Sequence, residues 1–252
     1  MTRKVAVINQ KGGVGKTTTT ANLGYMLAQK GYKVTLIDLD PQGSLTISLG
    51  VNWQEHSGIE DLLLHDDKLE NVIIETRKNL RLIPCGNNLG QAEHIDKESS
   101  SSIAKNLKVV LNQLSEDDYV LIDCPPSSGF LIICALYAID EVLIPISGDY
   151  LTLHGLSHLL GTLKGFEERL KHDIKKWFVV TRFHPRRRLA QDVKEKLISY
   201  FPDQVLKTSI RETTAVAESP SFGLTVYEHQ KGGNGAQDYR DLAEDFCIGR
   251  TC

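Results

Sequence analysis

The sequence has no apolar run long enough to cross a membrane as a helix. The longest, Phe130 to Ile139, is ten residues and is stopped by Asp140 and Glu141, about half of what a bilayer requires. No apolar leader precedes the first strand-like stretch, so no signal peptide is expected. Cysteine is sparse and odd in number: Cys85, Cys124, Cys134, Cys247 and Cys252, with no CxxC pair. That argues against a disulfide framework and a zinc ribbon, and the expectation is free thiols in a reducing cytoplasm. Internal repeats, heptads and linker-like stretches are also missing. Charge is close to balanced, with a net of −3, and apolar residues make up 41% of the chain, an ordinary composition for a globular protein.

What is present is organised around residues 9–18, Asn-Gln-Lys-Gly-Gly-Val-Gly-Lys-Thr-Thr. The β-branched run Val5-Ala6-Val7-Ile8 precedes it, and 19–30 follow as a helix with Ala21, Leu23, Leu27 and Ala28 on one face. A glycine-rich loop between a buried strand and a helix N-terminus is the context of a phosphate-binding loop. Gly12, Gly13 and Gly15 allow the backbone to curl so that successive N–H groups of residues 12–18, including those of Val14 and Thr18, point inward. The helix dipole adds positive potential at the same place. Lys16 can reach β- and γ-phosphates, and the Thr17 hydroxyl can ligate Mg²⁺.

The loop departs from GxxxxGK[ST], because Gln10 stands where the first glycine would be and Lys11 follows it. In this it resembles the deviant Walker A motif, KGGxGK[ST], of the ParA/MinD family of ATPases. The resemblance extends from Lys4 to about Phe246. It implies that ATP and Mg²⁺ are the ligands and that Lys11 reaches across a homodimer to the partner's nucleotide. Asp123 ends the apolar strand Tyr119-Val120-Leu121-Ile122, 107 residues after Lys16. It resembles a Walker B aspartate, which holds Mg²⁺ through a water, and Cys124 to Gly129 resemble the γ-phosphate switch that follows it. Asp40, in the family match Asp38-Leu39-Asp40-Pro41-Gln42-Gly43, lies past a strand end, where ligands of open α/β sheets bind. The resemblance makes it the residue that positions the attacking water, with Asp38 structural. Thr181-Arg182 correspond to a place close to the nucleobase. Residues 209–221 resemble the loop that closes over adenine and approaches DNA, but lack the family's early Pro and Arg and its Arg at the position of Ala215.

Alternation of strands with helices predicts one α/β domain over 1–252, a doubly wound, mostly parallel sheet flanked by helices. Strands are expected at 33–38, 79–84, 119–123, 141–146 and 177–182, with a short one near 205–208. Helices are expected at 103–114, capped by Ser102, and at 129–139, 151–171, about 188–200 and 236–247. Residues 45–75 read as short helices and loops. Residues 164–211 carry 13 Lys or Arg against 6 Asp or Glu, a balance of +7, which leaves −10 for the rest. A basic segment on an acidic body suggests a face for a polyanion. The candidate phosphate contacts are Lys171, Lys175, Lys176, Arg186, Arg187, Arg188, Lys194 and Lys196.

The family resemblance implies an ATP-driven dimerising switch that binds DNA of any sequence. A small ParB-like partner would stimulate hydrolysis and release it, serving plasmid or chromosome partitioning or cargo positioning on the nucleoid. Three alternatives stay open. A MinD-like membrane-associated protein needs a basic amphipathic C-terminal helix, whereas Glu244-Asp245 begin an acidic tail. A nitrogenase-type iron–sulfur reductase needs bridging cysteines that Cys124 and Cys134 do not match in spacing. A small-molecule kinase or ligase on the same fold would need an acceptor site that is not visible in the sequence.

Overall fold

The computed structural model describes residues 1–53, 56–94, 97–126, 129–148 and 151–252, with the backbone alone for 93–94, 97–102 and 151–154. Seven strands form one sheet: β1 (Arg3–Val7), β2 (Val34–Asp38), β3 (Ile74–Arg77), β4 (Leu80–Ile83), β5 (Tyr119–Asp123), β6 (Glu141–Ser147) and β7 (Lys175–Thr181). Their order is β3-β4-β2-β5-β1-β6-β7, and every neighbouring pair is parallel except β3 with β4. The apolar runs are continuous because helices cover both faces. Along β1 the side chains alternate: Val5 and Val7 join one core, Ala6 and Ile8 the other.

On the Val5/Val7 face lie α1 (Lys16–Gln29) and α11 (Asn234–Ile248). The one-faced apolar pattern read in α1 is too narrow. The helix is buried from Thr19 through Ala28 because Tyr239, Leu242 and Phe246 of α11 pack over it. Its Gly24 leaves no room for a side chain, since a Cβ there would come 2.6 Å from Leu36 of β2. On the opposite face lie α3 (Ile59–Leu64), α5 (Lys97–Gln113), α6 (Phe130–Ala138), α7 (Leu151–Leu170) and α8 (Arg188–Tyr200). Short helices α2 (Ser44–Ser48), α4 (Leu69–Val72), α9 (Thr214–Glu218) and α10 (Val226–His229) complete the numbering.

Three expectations are corrected. Residues 45–75 do not consist of helices and loops alone: they run into edge strand β3, joined to β4 by a Lys78-Asn79 turn in which Asn79 adopts φ 62°, the backbone that short hairpins require. The strand near 205–208 reduces to single bridges, Phe178 with Val205 and Leu206 with Thr251. Helix α5 begins at Lys97, so Ser102 lies inside it instead of capping it. Ser127 and Ser128, in the expected γ-phosphate switch, lie outside the described residues.

Candidate functional site

Strands β1, β2 and β5 end level with one another. Val7 and Asp38 both pair with Asp123, so three chain exits meet at one edge. The loop 9–15 leaves β1 there. Asn9 braces its start: Nδ2 donates to the Pro145 carbonyl at 2.8 Å, and Oδ1 accepts from the Lys11 N–H at 3.0 Å. Gly13 (φ 72°) and Gly15 (φ 88°) take the left-handed backbone that glycine tolerates best. Gly15 caps α1, and its carbonyl accepts from the Thr19 N–H at 2.9 Å. At the other end of the loop, the Thr181 hydroxyl donates to the Val14 carbonyl at 2.7 Å, so β7 helps to hold the curl.

This geometry sets Lys16 at the first helical position, only 7% exposed. Burial pulls its ammonium below the usual lysine range, although Asp123 and Asp40 pull the other way. The Thr17 hydroxyl donates to Asp123 Oδ2 at 2.6 Å. Asp123 is fully buried, and burial, with Asp38 nearby, pushes its carboxyl well above the usual range against the pull of Thr17 and Lys16. The charges that Lys16 and Asp123 offer each other thus do not offset the cost of burying them. An anion beside a cation satisfies both, which is the chemistry of a polyphosphate with a divalent metal.

Asp40 follows β2 and is 8% exposed. Its Oδ1 accepts from the Gln42 N–H at 3.0 Å, and Gly43 N–H donates to its carbonyl at 2.9 Å. This tight turn feeds α2. Asp38 is engaged differently: Oδ2 accepts from Thr46 N–H (2.8 Å) and Thr46 Oγ1 (2.7 Å), and Oδ1 from Asp40 N–H (3.3 Å). Burial raises its carboxyl to about 6 despite those bonds. Asp38 fastens α2 to the sheet, whereas Asp40 lies on the loop near Lys16.

Next to the glycine loop is a cavity of about 230 Å³, whose lining includes Gly13, Gly15, Thr18, Thr181, Arg182 and Tyr239. A larger groove of about 610 Å³, with Leu62, Asp67 and Asn106 in its walls, lies between α5 and the segment 66–70 that leads into α4. It contains none of the loop, so chemistry and not size identifies the site. Arg182, Thr18, Gly13 and Gly15 are therefore brought together, while Lys11 is half-buried at the loop entrance and, like Gly12 and Lys16, does not line this cavity.

The eight basic candidates are not gathered. Lys171, Lys175 and Lys176 lie at the start of β7, and Arg186, Arg187 and Arg188 beyond its other end. Five strand residues, 177–181, separate the two sets, about 17 Å at the usual rise. Lys176 is engaged by Glu167 at 2.6 Å and by the Ile174 carbonyl, and Lys175 lies 4.2 Å over the Trp177 ring. Lys194 Nζ donates to the Lys207 carbonyl at 3.2 Å, and Lys196 is exposed on α8. Arg186, Arg187 and Arg188 are all exposed at the start of α8, on the glycine-loop edge. Ala215 is buried in α9, 9% exposed.

Asn9 and Thr181 were not singled out as braces of the loop. An Asn directly after a buried strand was a usable signal for the first; nothing local marks the second. Among the described residues, no helix is long and apolar enough to cross a membrane.

Comparison with known proteins agrees with this geometry. The family profile described as an AAA domain, AAA_31, matches residues 2–176. The sporulation initiation inhibitor protein Soj of Bacillus subtilis is 39% identical over 249 residues, covering 97% of this chain and 98% of that protein. The structure of cobyrinic acid a,c-diamide synthase from Mycobacterium smegmatis with bound ADP and magnesium superposes with a TM-score of 0.81. The two are 30% identical, covering 100% and 98% of the chains. The septum site-determining protein MinD of Pyrococcus horikoshii, complexed with Mg-ADP, gives 0.77 at 27% identity, covering 98% and 96%. With its glycine loop, buried lysine and strand-end carboxylates, the chain belongs to the ParA/Soj-type AAA-domain family of ATPases and works with ATP and Mg²⁺.

Proposed function

We propose that this ATPase is a single-domain switch that dimerises on ATP, binds DNA without sequence preference and lets go after hydrolysis stimulated by a small partner protein. In that cycle the N–H groups of residues 12–18 and the Lys16 ammonium hold the phosphates. Thr17 and, through a water, Asp123 hold Mg²⁺, which screens the phosphate charge when bound. Asp40 orients the attacking water, and Arg182 lies against the nucleobase. The protein acts in the cytoplasm on the nucleoid, with a plasmid, chromosome or protein assembly as cargo.

The observation that carries this reading is the separation of the two loop lysines. Lys16 is buried beside Asp123 and Asp40, whereas Lys11 is only half-buried at the loop entrance. A lysine there is placed to serve a second subunit better than its own pocket. Lys11→Ala is expected to keep ATP affinity within a few-fold, about 1 kcal/mol, yet to stay monomeric and hydrolyse little. Light scattering with a non-hydrolysable ATP analogue decides it: a normal dimer rejects the role in trans.

DNA binding is assigned to Arg186, Arg187 and Arg188, because three exposed cations at a helix N-terminus oppose its dipole unless an outside anion meets them. A dimer doubles such a surface, which raises affinity steeply. Changing all three to alanine should weaken binding on every sequence alike and flatten the salt slope by about 0.9 per lost phosphate contact. ATP-driven dimerisation should persist. Equal binding by parent and variant at matched salt moves the surface elsewhere.

A further inference from the structure

The rim of the 230 Å³ cavity carries an acid–base cluster that the phosphate chemistry does not use. Arg182 follows β7 directly, in the left-handed backbone region at φ 48°, which non-glycine residues adopt rarely. Beside it runs the segment 210–213. Phe183 N–H donates to the Ile210 carbonyl at 2.9 Å, and Glu212 N–H to the Phe183 carbonyl at 3.3 Å. These two parallel stretches form adjoining walls of the cavity.

Successive side chains of an extended segment point to opposite sides. Arg211 turns towards α11, where its Nε donates to Asp238 Oδ2 at 2.9 Å and its Nη2 to Oδ1 at 2.5 Å. Asp238 is 5% exposed, so this pair anchors the wall from within. Glu212 turns the other way and uses both oxygens. Oε1 accepts from Arg182 Nε (3.0 Å) and Nη2 (2.8 Å), and Oε2 meets His184 Nε2 at 2.5 Å. Arg182 and then His184 hold the Glu212 carboxyl below the usual range, so it is charged at neutral pH. A guanidinium gripped in its own plane keeps its faces for stacking on an aromatic ring.

We propose that Glu212 is a positioning residue for the nucleobase: by gripping Arg182 edge-on at the cavity rim, it presents the guanidinium face to the base of bound ATP. The proposal rests on the ATP-site reading, with the cavity as the place of the base.

The test is a double-mutant cycle with Arg182→Ala, Glu212→Ala and the pair, titrated by calorimetry with ATP and, separately, with inorganic tripolyphosphate. Circular dichroism melts check folding, and Glu212→Gln replaces Glu212→Ala if that variant unfolds. Each single change should weaken ATP binding about three- to fivefold. The double variant should be no worse than Arg182→Ala, and tripolyphosphate affinity should not move. Additive losses, unchanged ATP affinity, or equal losses for both ligands overturn the proposal. If the parent binds both ligands equally, the base-site reading itself fails, and the proposal with it.

Discussion

Lys16→Ala is expected to weaken ATP binding about a hundredfold to a thousandfold while leaving the fold intact. An ammonium gripping phosphate oxygens makes charge-assisted contacts, which are roughly twice as strong as neutral ones, and about 3–4 kcal/mol corresponds to that loss. Among the described residues no other cation is placed to replace it: Lys11 is half-buried at the loop entrance, and Arg182 is engaged by Glu212. Stability should hold for a reason visible in the site. Burial outweighs the carboxylates and lowers the Lys16 pKa, so the charged form is disfavoured by folding. Removing the charge therefore relieves a burial cost at neutral pH, against which stands the loss of a cation beside Asp123. Calorimetry with ATP, and a melt in which saturating ATP raises the midpoint of the parent only, are the measurements. Equal affinity for parent and variant would refute the phosphate-loop assignment.

Asp40→Ala should leave ATP binding nearly intact and slow hydrolysis about 10²- to 10⁴-fold, the usual worth of a positioned acid–base group. The expected product is a long-lived ATP-bound state with little turnover. Asp40 also accepts from the Gln42 N–H, so alanine removes a turn bond along with the charge. Asp40→Asn separates the two effects, since it keeps an acceptor for Gln42 and loses the carboxylate. Both variants should be equally slow in a phosphate-release assay. Parental turnover in Asp40→Asn would move the role to another residue. Asp38 is poorly suited to it, with both oxygens already engaged by Thr46 and the Asp40 N–H.

The phosphate loop, the strand-end Asp123 and Asp40 could be read before folding because each is written locally. A buried strand, a run of glycines and a helix start are adjacent in sequence, and a carboxylate at the end of an apolar strand points to the sheet's C-terminal edge. The features that escaped are made of distant partners. Thr181 supports Val14 from 167 residues away, and Asn9 reaches Pro145 across 136. Glu212 meets Arg182 across 30, and nothing in the stretch 209–221 announces that its acid faces back to β7. The basic segment is divided in space for a related reason. A charge sum is linear, whereas β7 carries Lys175 and Lys176 to one edge of the sheet and delivers Arg186–Arg188 to the other. Edge strand β3 was hidden because four residues of mixed polarity give little periodicity, although its Asn79 turn was a fair clue.

The strand order has a consequence for how the protein is made. The glycine loop leaves the ribosome ahead of the rest of the sheet, yet among the described residues β1 pairs only with β5 and β6, whose last residues are Asp123 and Ser147. At about 5–20 residues per second, β1 waits many seconds for its first sheet partner. Its core residues Val5 to Val7, with Ile8 just after them, are exposed apolar surface during that interval. Such long-range parallel pairing is intrinsically slow and open to aggregation. The nascent chain therefore needs shielding longest at the segment that later grips the nucleotide, and truncations ending before Ser147 should be the insoluble ones.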